Sequence, residues 1–285
     1  MSEIRLHNVT KRFGDIVAVD DVSIDVNEGE FVVLLGPSGA GKTTTLRLIA
    51  GLERPDEGEI FIDGEAATDM HPADRDVAFI FQQYSLYPHL TVFGNLAFPL
   101  RSPRRRTSEA EVSARVRSVA QMLHIESKLA NMATHLSGGE MQRVAIGRAL
   151  VREPKVFLMD EPLSSLDAKL REELRIELKR LHRSIGATII YVTHDQVEAT
   201  TLADRIGILE HGRIVQMGTP REVYGNPASL SAAQRLGSPP INLLPPALFD
   251  PAAMPAGTST VAIRPEDIVL HGADARDALN LRVLE

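Results

Sequence analysis

The sequence predicts an α/β fold with a largely parallel sheet, followed by a smaller C-terminal β domain. Short strand-like segments alternate with segments of helical periodicity, which is the pattern of parallel sheets connected by helices. Residues 31–35, which read FVVLL, are apolar at every position, as expected of a strand covered on both faces. Beyond Leu236 the helical periodicity stops, and seven of the 17 prolines fall within the last 50 residues.

The large domain takes its expected strands from both halves of the chain. Residues 4–9 and 22–26 alternate apolar with polar side chains, as half-buried strands do. A helix is expected at residues 44–50, and helical periodicity continues from about residue 88 to residue 151 around a loop at residues 101–108. Further strands are expected at residues 31–35, 60–62, 77–81, 156–159 and 188–192. Between the last two, leucines at helical spacing predict a helix: Leu170, Leu174, Leu178 and Leu181.

The C-terminal segment is interpreted as a small β domain in which the chain ends. Residues 261–264 and 268–270 are its expected short strands. The predicted boundaries are residues 1–235 for the large domain, with a helical subdomain near residues 88–151, and residues 236–285 for the small, incomplete one.

Composition excludes several classes of protein. The 285 residues include no cysteine, which excludes disulfides and thiolate metal sites. The N-terminus lacks a signal-peptide pattern, and no apolar run approaches the ~18 residues that span a bilayer. The net charge of −7 argues against nucleic acid as a partner. The one basic cluster, Arg104–Arg106, is interpreted as a solvated loop.

A phosphate-binding loop follows the apolar strand. Residues 36–43 read GPSGAGKT and match G-x-x-x-x-G-K-[ST], with the expected strand before and helix after. Glycines let backbone N–H groups turn toward phosphate oxygens, at the positive end of the helix that follows. We expect Lys42 to bridge β and γ oxygens and the Thr43 hydroxyl to bind Mg²⁺. The residues expected around the phosphates are Gly36, Pro37, Ser38, Gly39, Ala40, Gly41, Lys42, Thr43 and Thr44.

Two carboxylates follow the strand expected at residues 156–159. Asp160 and Glu161 leave the sheet at its carboxyl edge, where ligands of open α/β sheets bind. Strand ends often expose carboxylates, but the phosphate loop favours a catalytic interpretation. Asp160 is expected to hold Mg²⁺ through water, and Glu161 to act as the base or to orient the attacking water.

Polar residues follow two more expected strands. His194 either belongs to the cap of the next helix, where Asp195 and Glu198 resemble a capping pair, or donates to the γ-phosphate. Gln82 is either part of a polar turn or a residue that binds Mg²⁺ and donates to the attacking water. The neighbouring Gln83 is the alternative for the same role.

A serine and two glycines precede another expected helix. Ser137 is a good N-cap, and Gly138 and Gly139 expose N–H groups at the positive helix end, so they form a second phosphate-binding surface. The alternative is a capping box between Ser137 and Glu140 with no further role. One γ-phosphate does not need two such surfaces.

In these motifs and their order the chain resembles the ATP-binding-cassette (ABC) ATPases over about residues 3–235. The motifs are Phe13 at the adenine-stacking position, GPSGAGKT, Gln82, the signature LSGGE at 136–140, VFLMDE at 156–161, SSLD at 164–167 and His194. The resemblance implies a P-loop NTPase with a RecA-like core, an antiparallel β subdomain and a helical subdomain. It also implies ATP and Mg²⁺ as cofactors and a head-to-tail dimer. In that dimer one subunit would contact the ATP of the other through Ser137, Gly138, Gly139, Glu140 and Asp167.

A finer resemblance is to the ATPase subunits of maltose-type importers. It rests on FQQYSLYPHLTV (81–92), EPLSSLDAKLR (161–171), THDQVEATTLADRI (193–206), GSPPINLLP (237–245) and AIRPEDI (262–268). The resemblance implies two permease subunits, indirectly a solute-binding protein, and a peripheral position on the cytoplasmic face of the bacterial inner membrane. It places residues 84–90 near the groove of this subunit that receives the cytoplasmic helix of the permease. It makes the C-terminal segment an OB/TOBE-like regulatory domain, which is either naturally short or truncated.

Three residues depart from the family pattern. Phe13 replaces the commoner tyrosine and can still stack on adenine, and Ser165 replaces an asparagine. Glu140 replaces the glutamine of the signature, which puts an anion near a polyphosphate unless the carboxylate turns back onto its own helix.

Other functions remain open at this stage. Importers of polyamines or inorganic anions have similar ATPases. A soluble ABC protein of DNA repair or translation would usually carry two cassettes or a coiled-coil insertion, and neither is visible. A nucleotide-binding regulator without turnover would not need Glu161 and His194.

Overall fold

The strands form a six-stranded sheet, a four-stranded antiparallel sheet and a two-stranded ribbon in the computed structural model, which describes residues 3–102, 107–249 and 254–268. The strands are β1 Ile4–Phe13, β2 Ile16–Val26, β3 Phe31–Leu35, β4 Glu57–Ile62, β5 Glu65–Ala66, β6 Val77–Ile80, β7 Val156–Asp160, β8 Thr188–Thr193, β9 Arg205–Glu210, β10 Arg213–Gly218, β11 Asn242–Leu244 and β12 Val261–Ile263. The helices are α1 Lys42–Ala50, α2 Val92–Ala97, α3 Glu109–Met122, α4 Gly138–Leu150, α5 Ala168–Ile185, α6 Gln196–Leu202, α7 Pro220–Gly225 and α8 Leu230–Arg235.

The six-stranded sheet confirms the predicted α/β class. Its strand order is β10-β9-β3-β8-β7-β6, and all neighbours are parallel except the edge pair β9 and β10. The antiparallel sheet has the order β2-β1-β4-β5 and forms a separate subdomain. The helices α2, α3 and α4 form the expected helical subdomain.

The central strand β3 belongs to two hydrophobic cores at once. Phe31, Val33 and Leu35 face the core shared with the helical subdomain, whereas Val32 and Leu34 face the core formed with α1 and the antiparallel sheet. Successive side chains of a strand point to opposite faces, so burial on both faces requires an unbroken apolar run. This is the physical reason for the sequence FVVLL.

Some elements were not predicted from the sequence, and others lie outside the described residues. The unpredicted strands and helices are β5, β9, β10, β11, α7 and α8. The expected strand at residues 268–270 is not supported at Ile268, which lies in no strand, and its other two residues lie outside the described part. The loop interpretation of Arg104–Arg106 also lies outside it. No described helix is long and apolar enough to cross a membrane.

A buried arginine joins the ribbon of β11 and β12 to α7 and α8. The guanidinium of Arg264 lies 3.9 Å from the ring centroid of Tyr224. It donates to the carbonyl oxygens of Ala233, Leu236 and Tyr224. Leu236 is fully buried in the same core as β3. The ribbon is therefore bonded to the last helices of the large domain.

We expect Arg264→Met to loosen the ribbon, because the buried carbonyls of Ala233 and Leu236 would lose their donor. An unsatisfied buried acceptor costs about 1–3 kcal/mol, so amide exchange in β12 should quicken at least about tenfold. Hydrogen exchange measured by mass spectrometry tests this, with Arg221→Met as the control because Arg221 is exposed on α7. Equal exchange in both variants would contradict the assignment.

Candidate active site

The phosphate loop and the catalytic candidates meet at one edge of the sheet because of strand register. Leu35, the last residue of β3, pairs with Thr193, and Val192 pairs with Asp160 at the end of β7. Parallel strands that end in register deliver the segments after them to the same place. The loop after Leu35, Glu161 and His194 therefore lie at one carboxyl edge.

Gly41 is required by the packing of the phosphate loop. It is the N-cap of α1 with φ +100°, a conformation that strains other residues. A Cβ at this position would lie 2.3 Å from the carbonyl oxygen of Ala18 in β2. No side chain caps α1, so its first N–H groups remain directed at the loop, as an anion site at a helix N-terminus requires.

Lys42 lies over its own loop. Its Nζ donates to the carbonyl oxygens of Gly36 (3.0 Å) and Pro37 (3.1 Å) and lies 3.3 Å from Oε1 of Glu161. An ammonium group has three protons, so these partners use all of them. Only 6% of the Lys42 residue is exposed. Phosphate oxygens that reach Lys42 would replace some of these partners.

Glu161 joins Lys42 to His194. Its Oε2 lies 3.0 Å from His194 Nδ1, so the two carboxylate oxygens take one partner each. Its backbone has φ +42°, and its N–H donates to Val192 (3.1 Å) while its carbonyl accepts from the Ser164 hydroxyl (2.8 Å). A left-handed residue other than glycine costs roughly 1–2 kcal/mol, so these bonds hold Glu161 in a costly conformation.

Thr43 and Asp160 form an oxygen pair beside the loop. The Thr43 hydroxyl donates to Oδ1 of Asp160 over 2.8 Å, and Asp160 is buried. Burial raises the pKa of the Asp160 carboxyl above its usual value, although the hydrogen bond from Thr43 lowers it. A hydroxyl and a desolvated carboxylate suit a hard divalent cation, which would stabilise the charged form.

Gln82 and Tyr84 contact the SSLD segment. Gln82 Nε2 donates to the Ser164 hydroxyl (3.3 Å), and the hydroxyls of Tyr84 and Ser165 are 3.1 Å apart. Among the described residues, Gln82 has no hydrogen bond to Thr43 or Asp160. Gln83 lines a groove of about 290 Å³ beside it.

Only one half of the capping pair predicted before α6 is present. Asp195 is the N-cap and accepts from the N–H groups of Val197 and Glu198. The Glu198 side chain does not reach back, because its Oε2 accepts from the buried hydroxyls of Tyr191 (2.8 Å) and Thr193 (2.7 Å). Buried hydroxyls need an acceptor, and desolvation raises the pKa of Glu198. The exposed His194 is free of the cap and points to Glu161.

Arg171 connects two of the predicted motifs and was not singled out from the sequence. It donates to the carbonyl oxygens of Leu163, Ser164 and Leu166, and its Nη1 lies 3.6 Å from Oδ2 of Asp195. It therefore links the SSLD segment to the turn that carries His194. Arg171 lies near the start of α5, where a positive charge is unfavourable because it opposes the helix dipole. This unusual position is the feature of the sequence that could have indicated a specific role for Arg171.

The signature segment forms the start of α4. Ser137 Oγ accepts from the Glu140 N–H, and Glu140 Oε2 accepts from the Ser137 N–H, so the capping box is present. The Met141 N–H is taken by the Ser137 carbonyl. Among the described residues, no acceptor binds the N–H groups of Gly138 and Gly139.

The two glycines differ in their surroundings. A Cβ on Gly139 would lie 2.5 Å from Cδ2 of Leu170, so a larger residue here would force the Leu170 side chain of α5 to shift. A Cβ on Gly138 would meet only Tyr84 Oη at 3.3 Å and Leu166 Cδ2 at 3.6 Å. Packing within the chain therefore explains Gly139 and does not require Gly138. No hydrogen bond or ion pair of the described residues joins this segment to the phosphate loop.

The other two candidates lie at element ends. Phe13 ends β1 with 45% of its surface exposed, and Lys11 Nζ lies 5.4 Å from its ring centroid. Asp167 caps α5 by accepting from the Leu170 N–H and is exposed. Both surfaces are accessible to a ligand or to a second chain.

Comparisons with known proteins agree on one family. The family model described as "ABC transporter" matches residues 19–164. The trehalose/maltose import ATP-binding protein of Thermococcus litoralis is 49% identical over 95% of this chain and 74% of its own length. The sn-glycerol-3-phosphate import ATP-binding protein of Rhizobium meliloti is 50% identical over 99% of this chain and 83% of its own length.

Solved structures give the same fold. A dimeric ATP-binding cassette in a post-hydrolysis state, bound to ADP and phosphate, superposes with a TM-score of 0.68 at 37% identity, covering 76% of this chain and 99% of that one. A nucleotide-free cassette from an ABC transporter superposes with a TM-score of 0.74 at 26% identity, covering 82% and 98%.

We expect Asp160→Asn to stabilise the chain in the absence of nucleotide and metal. The raised pKa means that the wild-type carboxyl contributes stability in its protonated form, and that this contribution is lost as the pH rises through the folded-state pKa. The neutral amide avoids this loss and can still accept from Thr43. At pH 7 the variant should therefore have the higher Tm, and the difference should shrink as the pH falls toward the usual pKa of an aspartate, about 4.

Thermal unfolding at pH 7 and pH 4 measures this effect. Asp56→Asn is the matched control, because hydrogen bonds from the Arg12 N–H and Lys11 lower the pKa of Asp56. The ionised Asp56 carboxylate therefore stabilises the fold, and its replacement by an amide should reduce Tm at pH 7. An Asp160→Asn variant that melts below wild type at pH 7 would show that the carboxylate is not destabilising.

Proposed function

Because this chain belongs to the ABC transporter family, we propose that it is the ATP-hydrolysing subunit of an importer, acting as a head-to-tail homodimer on separate permease subunits. The family is established by a model match over half the chain and by relatives near 50% identity. ATP binding would close the dimer, and hydrolysis would release it.

One observation supports the dimer more than any other. The chain carries two surfaces suited to phosphate, the loop at residues 36–44 and the free N–H groups of Gly138 and Gly139, and no hydrogen bond within the described ranges joins them. A second copy turned head to tail would supply its α4 N-terminus, with Ser137 and Asp167, to the nucleotide held by the first.

The residues at the sheet edge have separate tasks in this proposal. Glu161 orients the attacking water and accepts its proton. His194 contacts Glu161 through Nδ1, which leaves its other ring nitrogen, Nε2, available to a γ-phosphate oxygen. Lys42 exchanges Glu161 for phosphate oxygens when ATP binds, which frees a carboxylate oxygen for the water. Phe13 stacks on adenine.

Thr43 and Asp160 would hold Mg²⁺, with Gln82 as a further ligand. When bound, the ion neutralises charge on the β and γ oxygens. The buried carboxylate and the adjacent hydroxyl fit such an ion, since a cation would offset the desolvation of Asp160. Gln82 is bonded to Ser164 through Nε2, which leaves its Oε1 free to act as a ligand of the ion.

The groove beside Gln83 would receive a cytoplasmic helix of the permease. The segment that forms the groove contacts α4, the helix that begins in the signature. Arg148 of α4 donates to the Ser85 carbonyl (2.6 Å), and its guanidinium lies 5.4 Å from the Tyr87 ring centroid. Tyr84 in turn contacts Ser165 of the SSLD segment. A permease helix bound in this groove would therefore lie next to the segment that contacts both α4 and the SSLD segment, the two parts that would face the partner subunit.

The solute is proposed to be a sugar or a sugar derivative such as a glycerol phosphate, because relatives with these printed substrates are near 50% identical. A polyamine or an inorganic anion is the alternative. By the same resemblance the complex would lie on the cytoplasmic face of the membrane and receive solute from a binding protein. Residues 236–285 would begin an OB/TOBE-like regulatory domain after the ATPase domain of residues 1–235.

We expect Glu161→Gln to reduce ATP hydrolysis at least about 100-fold, because the amide cannot accept the proton of the attacking water. Phosphate release from the full chain with Mg²⁺ and ATP, alone and with its co-expressed permease, measures this. Glu59→Gln is the control, since Glu59 is an exposed carboxylate on β4. Turnover that survives Glu161→Gln would refute the catalytic assignment.

Gly138→Ala separates a role in packing from a role in the dimer. Its Cβ would meet only side-chain ends, Tyr84 Oη at 3.3 Å and Leu166 Cδ2 at 3.6 Å, so a small shift of the Tyr84 side chain accommodates it. Alanine also favours a helix by roughly 1 kcal/mol, so Tm should not fall. The methyl group would cover N–H groups offered to the partner's phosphate, so ATPase activity should fall at least about tenfold, as for loss of a charge-assisted hydrogen bond. Gly225→Ala, at an open position in α7, is the matched control. Wild-type activity in Gly138→Ala would contradict use of this surface.

A further inference from the structure

The signature glutamate is paired with a lysine from outside the signature. Lys128 ends a short 3₁₀ turn, Glu126–Lys128, between α3 and α4. Its Nζ lies 2.9 Å from Oε1 of Glu140, with the two side chains 39% and 22% exposed. No motif singled out in the sequence contains Lys128, and the catalytic residues do not contact it.

The two oxygens of Glu140 have different partners. Oε1 takes the Lys128 ammonium, and Oε2 takes the Ser137 N–H at 2.9 Å. The bond from Lys128 and then the bond from Ser137 lower the pKa of Glu140, so it is ionised at neutral pH. An anion in the first turn of α4 competes with phosphate for the same positive helix end. Left uncompensated, this carboxylate would repel the nucleotide of the partner subunit.

We propose that Lys128 is a positioning residue that neutralises Glu140 and holds it against its own helix cap, so that a signature ending in glutamate can close on ATP. This proposal rests on the proposed function, because it assigns Lys128 a task only if Gly138 and Gly139 receive the partner's γ-phosphate. Lys128 acts through Glu140 and touches no phosphate itself.

A purely structural ion pair makes a different prediction. Partly exposed ion pairs contribute little to stability, so removal of Lys128 should leave folding nearly unchanged. A structural role would therefore leave the ATP dependence of dimerisation unchanged as well. If Lys128 has a positioning role, its removal must change the ATP dependence of dimerisation. This change must occur only when residue 140 is the charged glutamate.

The experiment measures the ATP concentration at half-maximal dimerisation of the full chain. All variants carry Glu161→Gln to prevent turnover, and analytical ultracentrifugation reports the dimer. Lys128→Met should raise this concentration about tenfold or more, because it leaves the charge of Glu140 without compensation opposite the phosphates of the partner's ATP. Glu140→Gln should lower it, and Lys128→Met with Glu140→Gln should match Glu140→Gln alone.

Three controls keep the outcome specific. Lys128→Arg should retain the wild-type value, because it keeps the charge. Lys155→Met removes a similar exposed ion pair, with Asp63, far from the signature, and should have no effect. High salt should shrink the effect of Lys128→Met, since it screens the repulsion.

Each failure has its own meaning. If Lys128→Met does not shift the ATP dependence, or shifts it equally when residue 140 is glutamine, the positioning role of Lys128 is wrong while the proposed function stands. If the Glu161→Gln parent binds ATP without dimerising, the proposed function is wrong and the role of Lys128 is lost with it.

Discussion

The register of three parallel strands is the constraint on which the site depends. Leu35 pairs with Thr193, and Asp160 pairs with Val192, so the segments that follow β3, β7 and β8 start at the same level of the sheet. A shift of one residue in β7 would turn Asp160 to the opposite face and separate it from Thr43. Both faces of these strands are buried in different cores, so a slip would also exchange the side chains that pack in each core.

The sequence was most informative where one residue type has few physical uses. An unbroken apolar run, a glycine loop and carboxylates at a strand end predicted β3, the loop and the position of Asp160 within a residue or two. The short helices α7 and α8 have only six residues each, too few for helical periodicity to be visible. The strand β9 is defined by its pairing with β3, in which Arg205 pairs with Val32, 173 residues earlier in the chain.

Side-chain partners from distant elements could not be predicted. The pattern at Asp195 and Glu198 fits a capping box, but two buried hydroxyls on β8 take the Glu198 carboxylate instead. For Glu140 the same pattern led to two open interpretations, and the structure forms the box with Lys128 added. Local sequence rules predict which backbone N–H groups at a helix start are capped. The partners of the glutamate side chains depend instead on residues from distant elements that pack beside them.

The contact between Arg148 and the groove has a consequence for how such a subunit diversifies. Arg148 binds the main-chain carbonyls of Tyr84 and Ser85, which every amino acid provides. The side chains that line the groove can therefore be exchanged to suit a different membrane protein without breaking the connection to α4. If the groove binds the permease as proposed, recognition depends on the side chains of this segment and coupling to α4 depends on its main-chain carbonyls. Substitutions at the surface alone would then be enough to change the membrane partner.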